Sequence, residues 1–191
     1  MKKGLISVVL SLGLLSSIAI ARGHHHGGSK YDSHNNRLNN SVSQVNVLTQ
    51  EQIDDLVFMY EEEKVARDAY TVLGDIWDAK VFHNIQRAEI KHMASVKSLL
   101  VKYGIEVPML SDEVGVFENI KLQEEYDKLA ESGEQSLKNA LEVGVSIEVM
   151  DIQDLQDRMI GAPDDIIRVY EKLLRGSENH LRAFNRQLSR I

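Results

Sequence analysis

Glu89 and His92 stand three residues apart in the segment Ala88-Glu89-Ile90-Lys91-His92, a spacing that puts both side chains on one face of a helix. Around them Ile85, Val96 and Leu99 mark an apolar stripe, and the acid and the imidazole fall on that stripe. Three other segments repeat the pattern. Glu63 lies near the centre of the stripe formed by Leu56, Met59, Tyr60, Ala66, Tyr70 and Leu73. Glu148 replaces an apolar residue among Leu137, Leu141, Gly144, Ile152, Leu155 and Met159, with Asp151 one turn on. His180 shares a stripe with Ile166, Val169, Leu173, Ser177, Phe184 and Leu188. A buried carboxylate must be neutralised, paired or metal-bound, because its desolvation otherwise costs several kcal/mol. Four acids and two imidazoles would satisfy one or two divalent cations per chain. Mixed carboxylate and imidazole donors suit iron or manganese, with zinc as a competitor.

Such a constellation requires helices that face one another. Residues 48–75 read as the first, opening at Thr49 with Glu51 and Gln52 behind it as an N-cap region. In its run Glu61-Glu62-Glu63-Lys64, the first two acids fall on the flanks of the stripe and are expected in solvent. The second helix spans 81–103 and stops before Gly104. A loop with Pro108 and Gly115 leads to a short helix over 119–132, punctuated by Gly133, and this passage suits a crossover connection. The third long helix covers 134–160. After Gly-Ala-Pro the fourth starts near Asp164 and Asp165, acids that complement a helix N-terminus. Nothing alternates with period two, so the expected fold is all-α: an antiparallel four-helix bundle, with a long crossover carrying a short extra helix between helices two and three.

The residues leave alternatives to a metal. Arg67, one turn after Glu63, could neutralise a buried acid instead. His180 could be a hydrogen-bonded core histidine. Tyr70 could be a redox-active phenol or simple core packing, and His83 and Asn84 read as cap or surface groups. The fourth helix carries Ser177-Glu178-Asn179-His180, a serine where a second Glu-x-x-His pair would have its acid. Asp151 is the expected source of the charge that Ser177 lacks.

Residues 48–191 carry 28 Asp/Glu against 17 Lys/Arg, a net charge of −11, which repels phosphate backbones, argues against nucleic acid as a partner and attracts cations. Residues 1–22 begin with Lys2 and Lys3, continue as an apolar run and end on Ala19-Ile20-Ala21. They read as a signal peptide, hence export to the periplasm or beyond, or as an uncleaved membrane anchor through residues 4–21. Residues 23–47, rich in Gly, Asn and His, read as a flexible linker in which His24, His25 and His26 could also scavenge a metal ion. The chain has no cysteine, so it has neither a disulfide framework nor a thiolate site.

Five blocks in order, YEEEKVARDAY, FHNIQRAEIKHMASVKSLLVKYG, GVFENIKLQEEYDKL, SLKNALEVGVSIEVMDIQDL and VYEKLLRGSENHLRAF, closely resemble a prokaryotic family of ferritin-like proteins grouped as a domain of unknown function. The resemblance spans about residues 48–188. It implies a ferritin-like four-helix bundle, often exported, related to rubrerythrin and other di-iron carboxylate proteins. It also implies Glu63 as the ligand of the first helix, Glu89 and His92 of the second, Glu148 of the third and His180 of the fourth. Ser177 departs from the pattern, and Asp151 stands where some superfamily members carry a histidine. The expected functions are a di-iron or di-manganese oxidoreductase acting on ferrous iron or peroxide, a metal buffer or carrier without turnover, or a structural bundle with a vestigial site. No residue is singled out as catalytic. Metal ions are the expected partners, and a homodimer is compatible with the chain.

Overall fold

The computed structural model describes residues 47–191; the expected N-terminal segment 1–22 and all but the last residue of the linker lie outside the described residues. Five helices follow in order: α1 (Gln50–Trp77), α2 (Lys80–Lys102), α3 (Ile120–Gly133), α4 (Leu137–Arg158) and α5 (Asp164–Leu188). The described residues contain no strand, and none of their helices is long and apolar enough to cross a membrane.

Local chemistry fixes the boundaries. Thr49 and Gln52 form a reciprocal capping box at the start of α1, which satisfies two helix-end donors. Asp78 ends α1 in a left-handed conformation, and only Ala79 separates it from α2, so the two helices fold back on each other. Asn119 caps α3 and Ser136 caps α4. The Ser136 cap is why α4 begins at Leu137 rather than at residue 134.

The long helices close a ring in which α1 packs on α2, α2 on α5, α5 on α4 and α4 on α1, while α3 lies across α1 and α4. Two apolar clusters fill the ring. One joins Leu56 and Met59 of α1 to Val96 and Leu100 of α2, Leu155 of α4 and Ile166 and Leu173 of α5. The other joins Tyr70 and Leu73 to Phe82 and Ile85, Leu141 and Phe184, with Leu122 and Tyr126 of α3. The first cluster therefore gathers the starts of α1 and α5 with the ends of α2 and α4, so every neighbouring pair in the ring is antiparallel. The connection from α2 to α4 must run the length of the ring, and α3 lies within it. Between the clusters, at the level of Glu63, Glu89, Glu148 and Ser177, all four long helices turn buried polar groups inward.

Two departures from the sequence reading, at Glu62 and at Arg67, trace to the crossover. α3 covers one flank of α1, so Glu62 is half-buried rather than solvated and its Oε2 is enclosed. The crossover also buries Lys64 and Asp68, at 1% and 0% exposure. Lys64 Nζ lies 2.5 Å from Asp68 Oδ2 and donates to the carbonyls of Glu113 and Val116. Asp68 accepts from the Gly115 amide and from Arg67 Nε. Arg67 is therefore committed to Asp68, not to the acids between the clusters. Gly115 has φ +78°, a backbone that favours glycine, and this turn brings its amide to Asp68.

Removing one partner of a buried ion pair leaves the other charge uncompensated, at about 3–5 kcal/mol. Asp68→Ala is therefore expected to lower unfolding free energy by about that amount in urea denaturation, whereas Arg67→Ala, at the more exposed rim, is expected to cost less.

Candidate metal centre

Glu89 sits at the middle of the polar layer, 2% exposed. Its Oε2 lies 2.9 Å from His92 Nδ1 and its Oε1 lies 2.9 Å from His180 Nδ1. Each imidazole faces a second acid as well: His92 Nδ1 is 3.4 Å from Glu63 Oε2, and His180 Nδ1 is 3.5 Å from Glu148 Oε2. The two rings stack with centroids 5.5 Å apart. Two sets result, Glu63–Glu89–His92 and Glu89–Glu148–His180, in each of which the donor atoms lie within 4.8 Å of one another. They share Glu89, and each takes one of its oxygens.

The close approaches are not ordinary hydrogen bonds. His92 Nδ1, His180 Nδ1, Glu89 Oε1 and Glu63 Oε1 are buried without an aligned hydrogen-bond partner. Buried polar atoms are nearly always paired, so orphaned donor atoms converging on one space fit a cation. Among the described residues, no Lys or Arg forms an ion pair with Glu63, Glu89, Glu148 or Asp151. The alternative in which Arg67 neutralises this layer does not hold. These residues could hold a metal ion, and nitrogen from each imidazole with oxygen from two acids suits either set.

Without an ion, the layer relies on protons for neutrality. Burial opposes charge on His92, but Glu63 and Glu89 outweigh it and raise the imidazole to about 11. Burial opposes charge on His180 too, and Glu148 and Glu89 raise it to about 9. Burial pushes Glu89 up, yet the two imidazoles prevail and hold it at about 2. Burial lifts Glu148 to about 7 against the pull of His180. Burial, with Asp151 close by, pushes Glu63 well above the usual carboxylate range.

Asp151 and Ser177 meet directly. The Ser177 hydroxyl donates to Asp151 Oδ2, also lies 3.1 Å from the Leu173 carbonyl, and is fully buried. Asp151 thus brings its carboxylate from α4 to the place on α5 where the sequence lacks one, but it belongs to neither three-residue set. Burial lifts its carboxyl to about 6, against the Ser177 hydrogen bond.

Two further residues shape the layer. Tyr70, fully buried, donates its hydroxyl to Glu148 Oε1 at 2.7 Å, so its role is more than packing. Its position two turns after Glu63 on the same face was the available signal. Gly176 reads from the sequence as a packing position, and its neighbour is specific: a Cβ there would lie 2.6 Å from His92 Nε2, so α5 makes room for the imidazole of α2. His83 and Asn84 lie away from this layer near the start of α2; Asn84 accepts from Arg87 and neither caps the helix.

Residues 52–190 match the family described as "Uncharacterized protein domain (DUF2202)", and the chain belongs to that family. It is 46% identical over 144 residues to uncharacterized protein MJ0754 of Methanocaldococcus jannaschii, covering 74% of this chain and 77% of that protein. The crystal structure of hypothetical protein MJ0754 from Methanococcus jannaschii matches with a TM-score of 0.73 at 45% identity, over 75% of this chain and 82% of that one. A DUF305 fragment from Deinococcus radiodurans matches with a TM-score of 0.57 at 13% identity, over 75% and 98% of the two chains; this is a likeness of fold alone.

Metal binding needs bare imidazole nitrogens and ionised carboxylates, so it must displace the protons held by His92, His180, Glu63 and Glu148. Titration with Zn²⁺ in lightly buffered solution is expected to release protons, and affinity is expected to fall steadily as pH drops below 7. Gly176→Ala gives a separate test. Alanine favours a helix over glycine by about 1 kcal/mol, yet its methyl group is expected to displace His92 and weaken Zn²⁺ binding by about tenfold or more. Calorimetric titration beside circular dichroism would separate the two effects.

Proposed function

We propose that this member of the family is a ferritin-like protein whose four long helices hold a two-ion carboxylate–histidine centre, and that iron or manganese is its native metal. The observation that carries the reading is Glu89, whose two oxygens stand at equal distance from two imidazole nitrogens, each backed by its own acid. One carboxylate shared between two donor sets is how a bundle can hold two cations close together without a second full complement of charge. The resemblance to di-iron carboxylate proteins agrees with this arrangement, in which each long helix contributes an inward polar group.

When bound, a redox-active pair would supply electrons for reduction of dioxygen or peroxide, giving ferroxidase-like or peroxidase-like activity. The chain's own contribution is positional. Glu63 and His92 would help to hold one ion and Glu148 and His180 the other, with Glu89 available to both. The Tyr70 hydroxyl fixes Glu148 through Oε1, leaving Oε2 for the cation. The apolar clusters on either side exclude bulk water, which strengthens each of these electrostatic contacts.

Ser177 favours a second reading. Its hydrogen bond to Asp151 occupies the place of a second shared acid, and a centre with fewer charges would suit a buffer or carrier for iron, zinc or manganese without turnover. The domain plan proposed with either reading is an N-terminal export signal or anchor, a linker and the helical domain from residue 48 onward. It would place the protein in the periplasm, outside the cell or on a membrane. Metal ions are its proposed partners, with a homodimer as the assembly to examine.

Elemental analysis of anaerobically purified protein is expected to give up to two transition-metal ions per chain, and Glu89→Ala is expected to lose both together because both sets use that residue. Ferrous oxidation and peroxide consumption that disappear in Glu89→Ala would select the oxidoreductase. Bound metal with neither reaction in the parent protein would select the buffer, and metal-free protein indifferent to added ions would overturn both.

A further inference from the structure

The side of the centre that faces α3 holds acids which neither donor set uses. There α1, α3 and α4 enclose a cavity of about 20 Å³, lined by Glu62, Glu63, Glu125 and Asp151 among apolar walls that include Leu122 and Ile147. A space of that size holds roughly one water molecule or one small ion. Glu63 and Asp151 each commit one oxygen elsewhere: Glu63 Oε2 faces His92 and Asp151 Oδ2 accepts from Ser177. Their other oxygens, Glu63 Oε1 and Asp151 Oδ1, are buried without a partner, on residues only 2% and 7% exposed. Glu62 Oε2 is a third enclosed oxygen with no partner.

These acids continue outward. Burial, and then Asp151 and Asp154 nearby, push the Glu62 carboxyl well above the usual carboxylate range. Asp154 keeps 32% of its side-chain surface exposed, and Glu125 of α3 is half-buried within its field. Burial therefore deepens from Glu125 and Asp154, through Glu62, to Glu63 and Asp151. Nearby basic groups leave the inner end open. Arg158 is directed to Asp55 and Asp154, at 3.4 and 3.6 Å, and Lys128 is an exposed neighbour of Glu125. Solvation of the outer surface alone would not require the two innermost oxygens to stay unpaired.

We infer that Glu62, Asp151 and the outer oxygen of Glu63 form a transit site for divalent cations, with Glu125 and Asp154 at its mouth, through which ions reach the histidine-bearing centre. The inference rests on the reading of that centre as a metal site. An all-oxygen site binds a transition ion less tightly than one that adds imidazole nitrogen, so an ion held here passes inward. Glu63 belongs to both sites and turns one oxygen to each.

Uptake of Co²⁺ by the full-length chain tests the route, because cobalt gains visible absorption on reaching nitrogen donors. His24→Ala, His25→Ala and His26→Ala should be introduced throughout, so that this histidine tract does not compete. Stopped-flow mixing is expected to show Glu62→Gln loading about tenfold more slowly or worse, with the same final absorption and stoichiometry, and Glu125→Gln slowed to a smaller degree. Glu171→Gln, which removes an exposed acid from α5 away from the cavity, is expected to load at the parent rate. Parent-rate loading in Glu62→Gln would overturn the transit site while leaving the centre intact. No cobalt band in the parent protein would overturn the centre, and the route with it.

Discussion

Several carboxylates are enclosed in the middle of this protein with no lysine or arginine among the described residues to balance them, and that constraint organises everything around it. Glu63, Glu89, Glu148 and Asp151 are each at least nine-tenths buried. The basic groups opposite them are two imidazoles, which balance the charge only by holding protons, and the enclosed oxygens that remain still lack partners. A low-dielectric interior makes such a layer costly in isolation and strongly attractive to a multivalent cation.

The remainder of the fold offsets that cost. Two apolar clusters, one at each end of the ring, supply the burial that the polar layer does not. Tyr70 belongs to both worlds, its ring packed against Phe82 and Phe184 and its hydroxyl bonded to Glu148. Glycine has a comparable role at two close approaches. Gly144 leaves space for the Phe184 ring, and Gly176 leaves space for His92, so α5 can come near enough to both α4 and α2 for donors on different helices to converge.

The buried Lys64–Asp68 pair contrasts with the centre one residue away. There the charges are matched: the lysine has a carboxylate and two carbonyls, and the aspartate has an ammonium, a guanidinium and an amide. That network is satisfied and pins the crossover to α1. The adjacent layer keeps enclosed oxygens and imidazole nitrogens without partners. Adjacent residues on one helix, Glu63 and Lys64, therefore serve different ends because they face different neighbours.

Helical periodicity is a local property, and it was enough to read the all-α class, the extra helix in the crossover and the inward direction of Glu63, Glu89, His92, Glu148, Asp151 and His180. Each stripe needs only the residues of its own helix, since rotation about the axis follows from 100° per residue. Partnership is a different matter. That Glu89 spans two imidazoles, that Asp151 meets Ser177, that Arg67 turns to Asp68 and that Gly176 clears space for His92 all depend on the register and azimuth between helices. Likewise, Glu62 falls on the flank of the α1 stripe, where the pattern of one helix predicts solvent; α3, arriving from residues far along the chain, covers that flank, while the loop before α3 encloses Lys64 on the opposite side of the helix. The sequence alone determined which side chains face inward. Tertiary packing decided which atoms meet, because such contacts depend on the relative positions of helices that no single segment encodes.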